Sequence, residues 1–333
     1  MQENEPEFYK PFDNNDFQFE RCFLCGCDFD EAKQTDEHVF PKWLLRRFDL
    51  YNETLNLFNH STISYRHLKI PCCAGCNGTY LSQMEDKFRG LLSRDFQKLS
   101  DTDELVVFQW AAKILYGTLY KELSLLNDQR VPESGTIMTP YTVERFRTLH
   151  LLLQSIRIPT AFRKPYPWSI FVFNYEGDDF HYINDIEHQS FAIKLGTIGV
   201  TVVFEDSGAV GRLVRWMHGL KAFKLNPLQF IEASAIIFYG KRLMINSITY
   251  MSAYSISQKE MVIKAMNEPR GRDWDREEYA AFFNTMLVRD GYEDFGTLYV
   301  DDTVRTWLAD ENGVLMMDII RAEYNDDFGI NFS

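Results

Sequence analysis

Most of this chain has no cysteine: six are present, and none follows Cys76. No apolar run reaches about 18 residues without a charge, so no membrane-spanning helix is expected. The opening residues Met1-Gln2-Glu3-Asn4-Glu5 lack the basic and apolar stretches of a secretion signal, and a cytoplasmic location is the expectation. Positive charge is scarce, with 35 Lys and Arg against 48 Asp and Glu and a net charge of −13. The overall balance therefore does not point to a polyanionic partner. No internal repeat or low-complexity tract is present, which argues against a solenoid or a disordered chain. Apolar material is ample: 45% of residues are hydrophobic and 27 are Phe. A chain of 333 residues is long enough for about two domains.

The clustering of the cysteines is the strongest compositional signal. Disulfides are not expected without a secretion signal, and paired cysteines in such a chain point to a metal. Cys22-Phe23-Leu24-Cys25-Gly26 has the spacing of a zinc knuckle. Two thiolates separated by two residues can grip one tetrahedral zinc, and the glycine lets the backbone fold back toward sulfur. Cys73-Ala74-Gly75-Cys76 repeats the spacing. Cys22, Cys25, Cys73 and Cys76 would then form a closed, structural Zn²⁺ site. Cys27 and Cys72 fall outside this spacing and are spare.

Charge is unevenly spread. Between His38 and Lys98 lie nine Lys or Arg and five acids, a local excess of cations in an acidic protein. Such a patch can bind phosphates, although ordinary fluctuation produces the same pattern.

Local patterns place further elements. Residues 1–20 read as an acidic and aromatic arm. Asp101-Thr102-Asp103-Glu104 resembles a capping box and opens an apolar helix to about Leu126. A second helix is predicted from Thr142 to Ile156, ended by Pro159, Pro165 and Pro167, which exclude regular structure for about ten residues. Strands are predicted for Trp168 to Asn174, Ser190 to Leu195, Ile198 to Glu205 and Ile245 to Tyr254. Asn226-Pro227 reads as an N-cap with proline at the first helical position. Ser257 and Asp275 look like two more helix starts. The expectation is an α+β protein with domains 1–98 and 99–333. The scattered His150, His181, His188 and His218 are read as structural.

One segment carries chemistry. Between the cysteine pairs lies Thr35-Asp36-Glu37-His38-Val39-Phe40-Pro41, and Asn77 follows the second pair directly. In this order the chain resembles the zinc-containing HNH endonucleases of the ββα-metal class: Cys-x-x-Cys, an acid and His with Pro three residues on, then Cys-x-x-Cys-Asn. The match is Cys22 and Cys25, Glu37-His38 with Pro41, and Cys73 and Cys76 with Asn77, over about residues 20 to 90. The resemblance implies an N-terminal ββα-metal module and metal-dependent hydrolysis of nucleic-acid phosphodiesters, with DNA as the substrate. His38 would be the general base. Glu37 and Asn77 would hold one Mg²⁺ or Mn²⁺.

The middle Asn of the motif is Asn56 or Asn59, with Asn56 slightly preferred. Asp36 is an alternative ligand to Glu37, and Glu85 is either a support for the metal or a solvated helix acid. Arg66, His67 and Lys69 are phosphate-contact candidates or a solvated strand edge. The segment between His38 and Cys73 exceeds a minimal hairpin, and Lys42 to Phe48 reads as a helix inserted there. The C-terminal domain matches no catalytic motif. By family context it serves specificity, sensing or assembly, through a homo-oligomer or a partner protein, in a restriction or anti-phage system. A non-catalytic zinc module that binds nucleic acid or protein is the competing reading. No membrane partner is expected.

Overall fold

The computed structural model describes residues 8–12, 19–29, 34–94 and 99–324. The protein is a mixed α+β chain, and no described helix is long and apolar enough to cross a membrane. The described residues divide into two compact units. The first holds residues up to 94, Leu99–Arg163 and Tyr250–Lys264; the second holds Lys164–Thr249 and residues from 265 to 324.

In the first unit, strand β1 (Gln34–His38) pairs antiparallel with strand β4 (Lys69–Cys73). The register sets Gln34 opposite Cys73 at one end and His38 opposite Lys69 at the other. Between these strands the chain inserts helix α1 (Lys42–Arg47) and a small hairpin of β2 (Thr54–Asn56) and β3 (Thr62–Ser64). Past β4 a π-helical turn, Cys76–Leu81, runs into helix α2 (Ser82–Leu92). Helix α2 buries Met84, Phe88 and Leu91, which recur at helical spacing. Phe88 stacks on Trp110 with ring centroids 3.8 Å apart.

Trp110 belongs to helix α3 (Asp101–Glu122). Its start is one residue earlier than the expected box: Ser100 is the N-cap, and its hydroxyl accepts from the Asp103 amide while the Asp103 carboxylate accepts from the Ser100 amide. Gly117 lets this helix lie against the strand pair. A β-carbon there would come within 3.2 Å of Val39 and 3.3 Å of Ile70. Lys113 stands one turn earlier, on the same face. This contact explains why the boundary expected at residue 98 is not where the chain divides. Helix α3 packs on the cysteine-bearing segment and belongs to the first unit.

Two further expectations fail in this unit. The proline-rich segment does contain a strand, Thr160–Phe162, which pairs parallel with Glu260–Ala265. The helix start expected at Ser257 is instead a turn with Lys259 at positive φ, followed by that Glu260–Ala265 strand. Met261, Val262 and Ile263 favour the strand and override the capping signal. The first unit is therefore discontinuous in sequence.

The second unit is built on a five-stranded sheet. Strand Trp168–Tyr175 lies between the short edge strand Lys224–Leu225 and Ile198–Phe204, followed by Ser190–Leu195 and Phe180–Asp185. Helix Pro227–Arg242 is buried over most of its length, with Ile231, Ile237 and Phe238 inaccessible. Asn226 caps it as expected, in a reciprocal box with Gln229.

Candidate metal and His38 site

The cysteines meet at the Gln34–Cys73 end of the strand pair. The sulfurs of Cys22, Cys25, Cys27 and Cys73 all lie within 4.8 Å of one another. Cys25 and Cys73 are 3.7 Å apart, close to the edge of about 3.8 Å that Zn–S bonds of about 2.3 Å give a tetrahedron. Gly26 makes this possible. It adopts φ +71, and its amide donates to the Cys22 carbonyl at 2.8 Å while the Cys22 amide donates to the Cys27 carbonyl. This tight turn carries Cys27 back toward Cys22, so Cys27 is not the spare residue its spacing suggested. Cys76, expected as the fourth ligand, lies outside this group of four; hydrogen bonding with the Cys22 and Cys25 thiols, then burial, raises its own thiol pKa. Its amide donates to the Cys73 sulfur at 3.4 Å. Cys72 lies 3.9 Å from Cys22. Hydrogen bonding with Cys25, then Cys72 and Cys76, lowers the Cys22 thiol pKa well below its ordinary value.

Asn77 bridges the helix start to the strand. Its amide donates to the Thr35 hydroxyl at 3.0 Å, which in turn donates to the Cys72 carbonyl at 2.8 Å. This bridge ties the start of the helix to the strand pair in which His38 stands opposite Lys69.

His38 lies at the far end of β1 and is 9% exposed. Burial first, then the charges of Lys42, Lys69 and Lys113, push its imidazole down to about 4, with Asp36 opposing. The ring is neutral at pH 7. Neighbouring strand residues face opposite ways, so Asp36 shares the His38 side and Glu37 turns to α3.

Glu37 is committed there. Its Oε1 lies 2.5 Å from the ammonium of Lys113, a residue with no solvent exposure. The same ammonium donates to the carbonyls of His38 at 2.6 Å and Val39 at 3.1 Å, and to Glu85 at 3.1 Å. Burial alone would lower the Lys113 pKa, but Glu37 and Glu85 together outweigh it and hold the amine charged. A divalent ion on Glu37 does not fit this arrangement, because a fixed cation already holds that carboxylate and Asn77 is engaged with Thr35. Glu85, half-buried, joins the same ion pair. Sequence reasoning missed Lys113. Its signal was available, since Lys113 is the one charged residue between Leu105 and Tyr120.

The remaining candidates lie apart from His38 or at the surface. Asn56 is exposed at the end of β2, opposite Thr62. Asn59 ties its loop to the Asn127 carbonyl at 2.8 Å. Arg66 and His67 are exposed on a 3₁₀ turn, where the His67 ring meets the Ser64 hydroxyl. Lys69 is half-buried beside His38. Comparison with protein-family models, with curated proteins and with solved structures finds no match.

Proposed function

We propose that this chain is a nucleic-acid phosphodiester hydrolase of the HNH type, with His38 as the general base. The observation that carries this reading is a neutral imidazole at a strand end, flanked by Lys42 and Lys69 and aligned by a cysteine cluster at the other end of the same strand pair. A neutral imidazole can take a proton from water. The lysines attract a phosphodiester. Once the anion is seated, it offsets the lysine charges and raises the proton affinity of His38 where it is needed. The antiparallel pair followed by α2 supports a ββα reading of the module, and the motif order supports DNA as the substrate.

Zn²⁺ suits the thiolate cluster. Cys22, Cys25 and Cys73 would hold it with a fourth thiolate from Cys27 or Cys76. Its contribution is to cross-link the knuckle to β4. No step is assigned to Mg²⁺ or Mn²⁺, since Glu37 is paired with Lys113.

That pairing also favours a second reading, a non-catalytic zinc-stabilised module that binds nucleic acid or protein. The deciding assay compares wild type with His38→Ala on linear, supercoiled and single-stranded DNA and on RNA. The hydrolase reading expects a loss of about a hundred- to ten-thousand-fold, with fold and zinc retained. Equal cleavage by both proteins removes His38 from the mechanism. Binding without cleavage by wild type on every substrate supports the second reading.

A further inference from the structure

The ammonium of Lys113 sits in a cage of four oxygens. Glu37 Oε1 lies at 2.5 Å, the His38 carbonyl at 2.6 Å, and the Val39 carbonyl and Glu85 Oε1 each at 3.1 Å. Two carboxylates and two main-chain carbonyls are the ligand set expected around a hard cation. An ammonium has three protons to donate, and here it is wholly buried. The first residue of the set is Glu37, the carboxylate to which the HNH resemblance assigns a divalent ion. A hard ion bound to that carboxylate at about 2.1 Å would sit against a like charge that helix α3 cannot withdraw. The helix is pinned on both sides of Lys113, by Trp110 stacked on Phe88 and by Gly117 against Val39 and Ile70.

We infer that Lys113 is the fixed cation of this site: its ammonium takes the place on Glu37 of the exchangeable divalent ion and holds the end of β1 that carries His38. The inference rests on the HNH reading only for the expectation that a cation belongs there. Lys113 acts through the main chain and is a positioning residue.

The test uses the zinc-loaded full chain and Mn²⁺ alone, with free Mn²⁺ followed by electron paramagnetic resonance. Wild type and Glu37→Gln should bind Mn²⁺ alike, within about twofold. Lys113→Ala should gain one Mn²⁺ site, and Lys113→Ala/Glu37→Gln should lose it. A wild-type Mn²⁺ site that Glu37→Gln weakens tenfold or more overturns the inference, and so does a folded Lys113→Ala that gains no site. If Lys113→Ala does not fold, the comparison of wild type with Glu37→Gln still decides. A chain that cuts no nucleic acid yet behaves this way toward Mn²⁺ sinks the hydrolase and leaves the fixed cation standing. A chain that cuts and binds Mn²⁺ through Glu37 does the reverse.

Discussion

Two buried charges, one in each unit, are met differently. In the first, Lys113 is neutralised by opposite charges, Glu37 and Glu85, drawn from a strand and a helix separated in sequence. In the second, Glu232 on the buried helix Pro227–Arg242 is met by dipoles. It accepts from the amides of Trp307 at 2.6 Å and Leu308 at 3.1 Å and from the Thr306 hydroxyl. Burial, only partly offset by those donors, pushes Glu232 up to about 7. A carboxyl held by amides anchors a loop and can shed its charge. An ammonium held by two carboxylates keeps its proton near neutral pH. The Lys113 ammonium is thereby held charged behind the strand end that carries His38, while burial raises the Glu85 carboxyl. The second unit buries a large apolar cluster around Phe171, Ile231 and Phe238.

The metal gives the largest effect by which this contrast can be broken. A Cys22→Ser/Cys73→Ser double variant should lose zinc and unfold the first unit, because structural zinc supplies about 10–16 kcal/mol of apparent binding energy at such sites. Hydrogen exchange should show β1 and β4 unprotected and the five-stranded sheet of the second unit still protected. Elemental analysis that finds no zinc in wild type, or unchanged zinc in the variant, ends the metal reading. Cys27→Ser and Cys76→Ser, measured singly, then identify the fourth ligand.

A smaller effect compares the two buried charges directly. Lys113→Met leaves two carboxylates without their cation, and removing one partner of a buried pair costs about 3–5 kcal/mol. Glu232→Gln keeps an acceptor for the Trp307 and Leu308 amides and should cost about 1–3 kcal/mol. Urea denaturation of both variants measures the difference. Equal losses would mean that the ion pair is no more demanding than the amide cage, and the contrast between the units would fall.

How far the sequence could be read follows the same division. Elements with local signals were legible: the Asn226 cap, the strands at Trp168, Ser190 and Ile198, and the helix inserted after Pro41. The cysteine cluster was legible from spacing, except that the turn at Gly26 brings the exposed Cys27 up to the other sulfurs, a consequence of backbone conformation and not of spacing. Long-range features were not legible. The strand Glu260–Ala265 pairs with Thr160–Phe162 across about a hundred residues, and no local pattern records such a partner. For Lys113, the lone charge in an apolar helix announced a partner without naming it. Only the packing of α3 on the strand pair identifies Glu37.

The smallest effect sets the pH responses of the two units against each other. His150 is 1% exposed, and its Nε2 lies 3.2 Å from the Phe23 carbonyl in the turn between Cys22 and Cys25. Burial pushes its imidazole from 6.5 down to about 4, with the Phe23 carbonyl opposing. The folded ring is therefore neutral where the unfolded one takes up a proton. Between pH 6.5 and 4 the unfolded state binds more protons, so this contribution to stability falls as pH drops and is lost fully below about 4. At 1.36 kcal/mol per unit the loss is about 3 kcal/mol. Glu232 runs the other way. Its folded pKa is raised to about 7 from 4.5, so the folded state keeps a proton that the unfolded state releases, and its contribution falls as pH rises through that window. Other groups titrate in both units, among them Glu122 and His218, so the measured quantity is each variant's difference from wild type. Urea unfolding at pH 4, 5, 6 and 7 should show wild type losing stability relative to His150→Asn as the pH falls. It should gain stability relative to Glu232→Gln over the same range. If both differences move in the same direction, the opposite titration of the two buried groups is wrong, and with it the account of how each unit holds its polar interior.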